Sequence, residues 1–139
     1  MQRNINLCLE DIANSAGDYK NVSVFNLDKL VNCSYDIINI DILEKMKPEE
    51  AAAILEQSMG KLRSGGYLHV SFLNIKKVCH AYSISKINNQ EFLKHIYGKQ
   101  SVIDIDYINK ICANNNCSIV NLQEKDNYYL SAAIIKKEV

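Results

Sequence analysis

Three carboxylates accompany one apolar segment of the chain. Asp36 lies near the start of Tyr35–Ile40, Asp41 follows its last residue, and Glu44 comes shortly after. Together they are expected to form an acidic set near the carboxyl end of this predicted strand, which is where α/β sheets bind ligands. A solvated turn explains the same acidic residues about equally well.

The candidate nucleophiles and metal ligands form weaker patterns. Cys79 and His80 are adjacent, and neighbours on a helix or strand point apart rather than facing each other as a nucleophile and its base would. His69, His80 and His95 fall in three different predicted elements, with no spacing that gathers two of them as metal ligands. We therefore predict neither a metal site nor thiol catalysis.

The composition predicts a single soluble domain, residues 1–139. The chain is 47% hydrophobic and 23% charged, and no apolar run is long enough to span a membrane. Sixteen basic side chains balance sixteen acidic ones, which disfavours a nucleic-acid partner. The five cysteines are odd in number and include no CxxC pair, so they indicate neither a disulfide framework nor zinc. A reducing, cytoplasmic location is the prediction that fits best.

Apolar patterning predicts strands separated by helices. The run Tyr35–Ile40 is nearly continuous, which predicts a central strand covered on both faces. The last two strands, joined by the polar turn Gln123–Asn127, predict an antiparallel hairpin. The predicted strands are Asn4–Cys8, Asn21–Leu27, Tyr35–Ile40, Tyr67–Phe72, Cys117–Leu122 and Tyr128–Lys136.

Helical spacing recurs between these strands. Pro48 suits a first helical turn, and Gly65-Gly66 is predicted to stop that helix. The other helical segments are Leu9–Ala16 capped by Gly17, a turn at Leu30 and Val31, part of Leu73–Ser85, Asn88–Tyr97 with Phe92, Leu93 and Ile96 inward, and Asp104–Ala113. The order predicts an α/β fold, a mostly parallel sheet with helices on both faces.

The segment Ser34–Phe72 resembles the back half of class I S-adenosylmethionine-dependent methyltransferases. The matching pieces are Tyr35-Asp36 opening an apolar strand, Leu43-Glu44 in the following turn, and Leu62-Arg63-Ser64-Gly65-Gly66 leading into Tyr67–Phe72. The resemblance extends from about Asn21 to the C-terminus and includes the closing hairpin. It implies a Rossmann-like methyltransferase sheet in which one strand–helix unit, between the first strand and Asn21, is missing.

The chain departs from the family at its front end. The family's glycine-rich cofactor loop has no counterpart, because Leu9-Glu10-Asp11-Ile12 follows the first strand. Lys45 stands where a histidine is usual, and Ser64 replaces a proline. A degenerate cofactor site is therefore expected, in which Glu10 or Asp11 faces the place of the methionine carboxylate or the ribose.

The resemblance implies S-adenosylmethionine as cofactor and a small-molecule methyl acceptor, with catalysis mainly by proximity and orientation. No catalytic residue is predicted. Two alternatives stay open: a non-catalytic interaction or scaffolding domain of the same fold, and a plain nucleotide-binding domain. A tyrosine patch at Tyr128-Tyr129 could serve a homodimer. The implied cofactor-binding residues are Cys8, Leu9, Asn26, Leu27, Ile40, Asp41 and Glu44.

Overall fold

A computed structural model describes residues 2–9 and 19–138, and within them the framework is a six-stranded sheet in the order β2-β1-β3-β4-β6-β5. The first four strands run parallel, and β6 is antiparallel to both of its neighbours. β1 and β2 pair directly, with no strand between them. The strands are β1 Asn4–Cys8, β2 Tyr19–Ser23, β3 Tyr35–Ile40, β4 Leu62–Leu73, β5 Cys117–Glu124 and β6 Tyr129–Lys136.

Three of the four α-helices in the described part of the chain begin where a side chain accepts a bond from a free backbone N–H. Asn88 and Glu91 form a reciprocal capping box, and the Asp104 side chain accepts a bond from the backbone N–H of Tyr107. The helices are α1 Pro48–Lys61, α2 Ile75–Ser83, α3 Asn89–Ile96 and α4 Ile105–Asn114, with 3-10 helices at Val24–Lys29, Leu43–Lys45 and Asp126–Tyr128. The predicted helix Leu9–Ala16 and its Gly17 cap lie outside the described residues, apart from Leu9.

The main core lies between one face of the sheet and the helices α1 and α4. Alternate residues of β4, namely Leu68, Val70 and Phe72, are almost fully buried there. They meet Leu55 of α1 and Ile108 of α4 in one cluster. Truncating a buried side chain of this size to alanine typically costs about 2 to 5 kcal/mol, so this face fixes the sheet.

The opposite face of the sheet is covered unevenly. Leu73, at the end of β4, belongs to a second apolar cluster with Val78 and Ala81 of α2. Helices therefore pack on both faces, as predicted. Towards the middle of the sheet, however, Asn39 of β3 is only half-buried. β3 is therefore fully buried on the face of Ile38 and Ile40 and partly covered on the face of Asn39.

Two predicted boundaries were wrong at the second strand. The strand ends at Ser23 rather than Leu27, because the Ser23 side chain accepts a bond from the Phe25 N–H and starts the 3-10 helix Val24–Lys29. The helical turn predicted at Leu30 and Val31 therefore lies earlier in the chain. Leu30 is the cap that ends it.

The glycine pair does not stop the first long helix. α1 ends at Lys61, and β4 begins at once and runs through Gly65-Gly66. Gly65 has φ +80°, and a Cβ on Gly66 would lie 2.9 Å from the backbone oxygen of Tyr35. The pair therefore forms an irregularity where the register of β4 against β3 shifts.

The other predicted elements were confirmed with small shifts. β3 and β6 begin and end within one residue of the prediction, and the closing hairpin is antiparallel. α3 forms where helical spacing predicted it, but Leu93 is exposed rather than inward. The helix is short and uses Phe92 and Ile96 for its packing, which leaves Leu93 on the solvent side.

Candidate functional site

The carboxyl ends of β1 and β3 lie side by side at the point where the strand order reverses. The chain leaves β1 towards β2 on one side of the sheet, and β3 pairs with β1 on the other. In open α/β sheets such a switch point forms the ligand-binding crevice. A cleft of about 540 Å³ opens there, and its lining residues are Asn6, Leu7, Cys8, Asn21, Asn39, Ile40, Asp41, His69, Ser71 and Ser131. We call it the switch-point cleft.

A row of polar side chains crosses the floor of this cleft. In the strand register Asn6 stands opposite both Asn21 and Asn39, and Asn39 stands opposite His69. The Asn39 amide donates to Asn6 Oδ1 at 2.9 Å, and the Asn6 amide donates to Asn21 Oδ1 at 3.2 Å. The row exists because these strands alternate, with apolar residues such as Leu7 directed to the main core.

The charge of the switch-point cleft is negative, because its cysteine and histidine are neutral and its aspartate is ionised. Burial and the nearby Asp41 carboxylate raise the pKa of the Cys8 thiol, so it is protonated at neutral pH. Burial lowers the pKa of His69, whose ring stacks on Tyr67 at 6.2 Å, so the imidazole is neutral there. Asp41 is exposed at the rim. No lysine or arginine stands among the described residues that line the cleft, so Asp41 supplies its charge.

A second, smaller pocket lies beside the first. Ser71 lines the switch-point cleft and Leu73, two residues further along β4, lines the second pocket. Glu44 is buried at this second pocket and its Oε1 lies 3.3 Å from Lys99 Nζ. Glu44 Oε2 accepts a bond from the Leu73 N–H at 3.1 Å. The ion pair ties the 3-10 helix Leu43–Lys45 to the segment after α3.

The structure brings together three of the predicted cofactor-binding residues and separates the others. Cys8, Ile40 and Asp41 line the switch-point cleft. Leu9 is half-buried against the main core, Leu27 is fully buried within it, and Asn26 is half-buried in the 3-10 helix Val24–Lys29. Glu44 lines the second pocket instead. Glu10 and Asp11 lie outside the described residues.

Sequence reasoning missed the polar floor of the cleft. His69 was interpreted as an ordinary histidine, and Asn6, Asn39, Ser71 and Ser131 were not singled out. Each is a polar residue between two apolar neighbours, which is visible in the sequence. Their meeting depends on the pairing register, which is not.

The described residues contain no group of three or more histidine, cysteine, aspartate or glutamate side chains that could hold a metal ion. No helix in the described part of the chain has the length and apolar character needed to cross a membrane.

Cys112 and Cys117 are buried, and burial with the neighbouring Cys117 raises the pKa of the Cys112 thiol to about 11.

The sequence matches no protein-family model, and no curated protein sequence matches it either. Solved structures do match its fold. The putative methyltransferase of Haloferax volcanii, in complex with a methyltransferase activator, aligns over 98% of this chain and 73% of its own, with TM-score 0.64 and 10% identity. The 1,6-didemethyltoxoflavin-N1-methyltransferase of Burkholderia thailandensis, with its substrate and S-adenosylhomocysteine bound, aligns over 98% and 62%, with TM-score 0.64 and 11% identity.

An O-methyltransferase from neocarzinostatin biosynthesis, in complex with S-adenosylmethionine and 2-hydroxy-5-methyl naphthoic acid, aligns over 86% of this chain and 34% of its own, with TM-score 0.55 and 15% identity. The chain likewise spans only 36% and 34% of the first two similar structures. At these identities the likeness shows the fold. The fold is that of the class I S-adenosylmethionine-dependent methyltransferases, as the resemblance predicted.

Proposed function

We propose that this chain binds S-adenosylmethionine in the switch-point cleft and acts as a methyltransferase-like domain on a small molecule. One observation carries the proposal. Cys8 and Ile40 end two neighbouring parallel strands at the reversal of strand order, Asp41 follows Ile40, and all three line a cleft of about 540 Å³. That volume lies within the roughly 300 to 1,000 Å³ typical of small-molecule sites.

The charge of the cleft suits a cationic ligand. The sulfonium of S-adenosylmethionine is positive, and the Asp41 carboxylate supplies an unopposed negative charge at the rim. The neutral Cys8 thiol and His69 imidazole add no repulsion. The amides of Asn6 and Asn39 offer donors and acceptors to the hydroxyl and amino groups of such a ligand.

The bound cofactor would supply an activated methyl group, which an acceptor atom takes with its lone pair while the carbon–sulfur bond breaks. The chain's own contribution is to hold the two reactants in line, a form of catalysis that needs no strong acid or base. The cofactors and small aromatic acceptors bound by the similar structures support this proposal. The segment Leu9-Glu10-Asp11-Ile12 directly after β1 contains no glycine, which supports weaker cofactor binding.

Calorimetric titration tests the proposal with S-adenosylmethionine and S-adenosylhomocysteine. The first is a cation and its product lacks the sulfonium charge, so we expect the first to bind more tightly. Asp41→Asn should narrow that difference by about fivefold, since an exposed charge pair contributes roughly 1 kcal/mol. Asp106→Asn is the matched control, because Asp106 is exposed on α4 across the sheet.

The absence of heat at millimolar concentrations of both ligands would refute the proposal. The two alternatives, a non-catalytic interaction domain and a plain nucleotide-binding domain, would then remain. If Asp41→Asn and Asp106→Asn changed the S-adenosylmethionine affinity equally, the proposed binding site would be refuted, since binding would then not depend on the cleft. Raising the salt concentration should weaken the contribution of Asp41, because exposed charges are screened.

A further inference from the structure

The second pocket is a separate, mostly apolar chamber with an ion pair at one end. Its volume is about 360 Å³, near the lower end of the range for small-molecule sites. Phe92 forms one wall, and its ring is fixed by stacking on Tyr82 with centroids 4.4 Å apart. The lining residues are Glu44, Leu73, Ile75, Phe92, Ile96, Lys99, Gln100, Ser101 and Val102. We call it the Lys99 pocket.

Lys99 is held in place by two acceptors. Its ammonium donates to Tyr129 Oη at 2.7 Å and to Glu44 Oε1 at 3.3 Å, and it lies 5.1 Å from the centre of the Tyr129 ring. Burial opposes its charge, but the bond to Tyr129 and the Glu44 carboxylate outweigh burial and raise the pKa of Lys99. An ammonium has three N–H bonds. Within the described residues two are used, and the third is available to a ligand at Lys99, which lines both this pocket and the neighbouring hollow that contains Tyr129.

The net charge at this end of the pocket is zero. Glu44 is buried and already balances the positive charge of Lys99. A carboxylate ligand would add a third charge to a closed pair and would meet repulsion from Glu44 as well as attraction from Lys99. An ammonium ligand would add a second positive charge beside Lys99, and the Glu44 carboxylate is already balanced by the first. An uncharged oxygen accepts the remaining N–H at no such cost.

We propose that the Lys99 pocket binds a small, largely apolar molecule that carries one uncharged oxygen acceptor, such as an aryl ketone or a phenol. The apolar walls bury the body of the molecule, and Lys99 holds its oxygen. This site is distinct from the switch-point cleft, because the two pockets share no lining residue.

The position of the pocket also defines a candidate acceptor for methyl transfer. Ser71 in the cleft and Leu73 in the pocket point to the same face of β4, about 6.6 Å apart at two residues' rise. Identifying the pocket's ligand as the methyl acceptor rests on the proposed function. Binding in the pocket does not.

NMR titration at neutral pH with four probes of similar size tests whether the pocket prefers an uncharged oxygen, no oxygen, an anion or a cation. Acetophenone carries an uncharged oxygen, ethylbenzene carries none, benzoate is an anion and benzylammonium is a cation. We expect acetophenone to bind about tenfold more tightly than ethylbenzene and more tightly than either ion. The amide signals of Leu73 and Val102 should shift. Tighter binding of benzoate, or shifts at Cys8 and Asp41 instead, would overturn the proposal.

Two sets of variants locate the binding. Val102→Phe fills the pocket and should abolish acetophenone binding, whereas Val120→Phe changes an equally exposed valine on β5 and should leave it intact, the two valines being 62% and 53% exposed. The double variant Glu44→Met, Lys99→Met removes the ammonium donor, leaves no lone charge and adds no amide N–H. It should erase the preference for acetophenone over ethylbenzene while ethylbenzene still binds.

The outcomes distinguish the two proposals. Acetophenone binding without any calorimetric response to S-adenosylmethionine would uphold the Lys99 pocket and refute the cofactor site. A calorimetric response to S-adenosylmethionine without acetophenone binding would refute the Lys99 pocket and leave the cofactor site standing. A preference for acetophenone that survives in the double variant would also refute the pocket, because the oxygen would then be held elsewhere.

Discussion

Removing the ammonium of Lys99 should destabilise the protein strongly, because it leaves the Glu44 carboxylate buried without its partner. The two charged atoms are 3.3 Å apart, and the side chains are only 18% and 6% exposed. Lys99→Met keeps the length and apolar character of the stem while removing the charge. The perturbation is therefore electrostatic rather than a loss of packing.

The size of the effect follows from this geometry. Two unit charges at 3.3 Å interact by about 5 kcal/mol at an effective dielectric constant of 20. Breaking a buried pair from one side typically costs about 3 to 5 kcal/mol. Glu44 keeps its bond from the Leu73 N–H, so we expect a loss of about 3 kcal/mol. For a chain of 139 residues that lowers Tm by about 10 °C.

Urea unfolding followed by far-UV circular dichroism measures this loss, and a second ion pair supplies the control. Lys77 and Glu124 are 3.4 Å apart, but their side chains are 48% and 68% exposed. Lys77→Met should cost less than about 0.5 kcal/mol, because exposed pairs contribute little. The same substitution at nearly the same distance then isolates burial as the cause.

A double variant completes the cycle. Glu44→Gln in the Lys99→Met background removes the unpaired charge and keeps an acceptor for the Leu73 N–H, so it should restore about 2 kcal/mol. The reasoning would be refuted if Lys99→Met cost no more than Lys77→Met. It would also be refuted if Glu44→Gln added its own loss to that of Lys99→Met.

Three further predictions concern other parts of the chain. Gly66→Ala should lower the free energy of unfolding by more than about 2 kcal/mol in the same urea assay, because its Cβ would lie 2.9 to 3.1 Å from three backbone oxygens. Gly60→Ala is the control. A Cβ at Gly60 in α1 would have open space around it, so this substitution should stabilise the protein by about 0.5 to 1 kcal/mol. Burial holds the pKa of His69 below its ordinary 6.5, so protonating the ring costs more in the folded state than in the unfolded state. The free energy of unfolding should therefore be highest above pH 6.5 and should decrease as the pH falls below it. His69→Gln should make the free energy of unfolding depend less on pH in that range. A thiol reagent at pH 8 should label the exposed Cys33 long before the buried Cys112, and equal rates would contradict the burial and the raised pKa of Cys112.

The order of elements could be predicted from the sequence because local patterns determine it. The apolar run Tyr35–Ile40, the proline at the start of α1 and the asparagine turn before β5 each act within a few residues. The prediction that Gly65-Gly66 ends α1 was wrong because the role of the pair does not depend on its local sequence. Gly66 is required by a contact with the backbone oxygens of Tyr35 and Asp36, which are about thirty residues away.

The sites were harder to predict because they depend on pairing over long separations. Glu44 and Lys99 are 55 residues apart, and nothing near either residue indicates the other. Asn6 and Asn39 meet only through the register of two parallel strands. The resemblance placed Cys8, Ile40 and Asp41 at one sheet edge, since strand order alone decides which carboxyl ends are adjacent.

The asparagine row has a consequence for how the sheet assembles. Each amide can donate in one direction and accept in the other, so Asn39, Asn6 and Asn21 satisfy one another only when β3, β1 and β2 are aligned in a single register. Sliding β1 by one residue would turn the Asn6 amide into the apolar core, away from Asn39 and Asn21, and expose Leu7 to water. Parallel strands lack the short turns that set alignment in hairpins. In this chain the amides take over that role, and the same three side chains that floor the cleft also select the correct alignment of its strands.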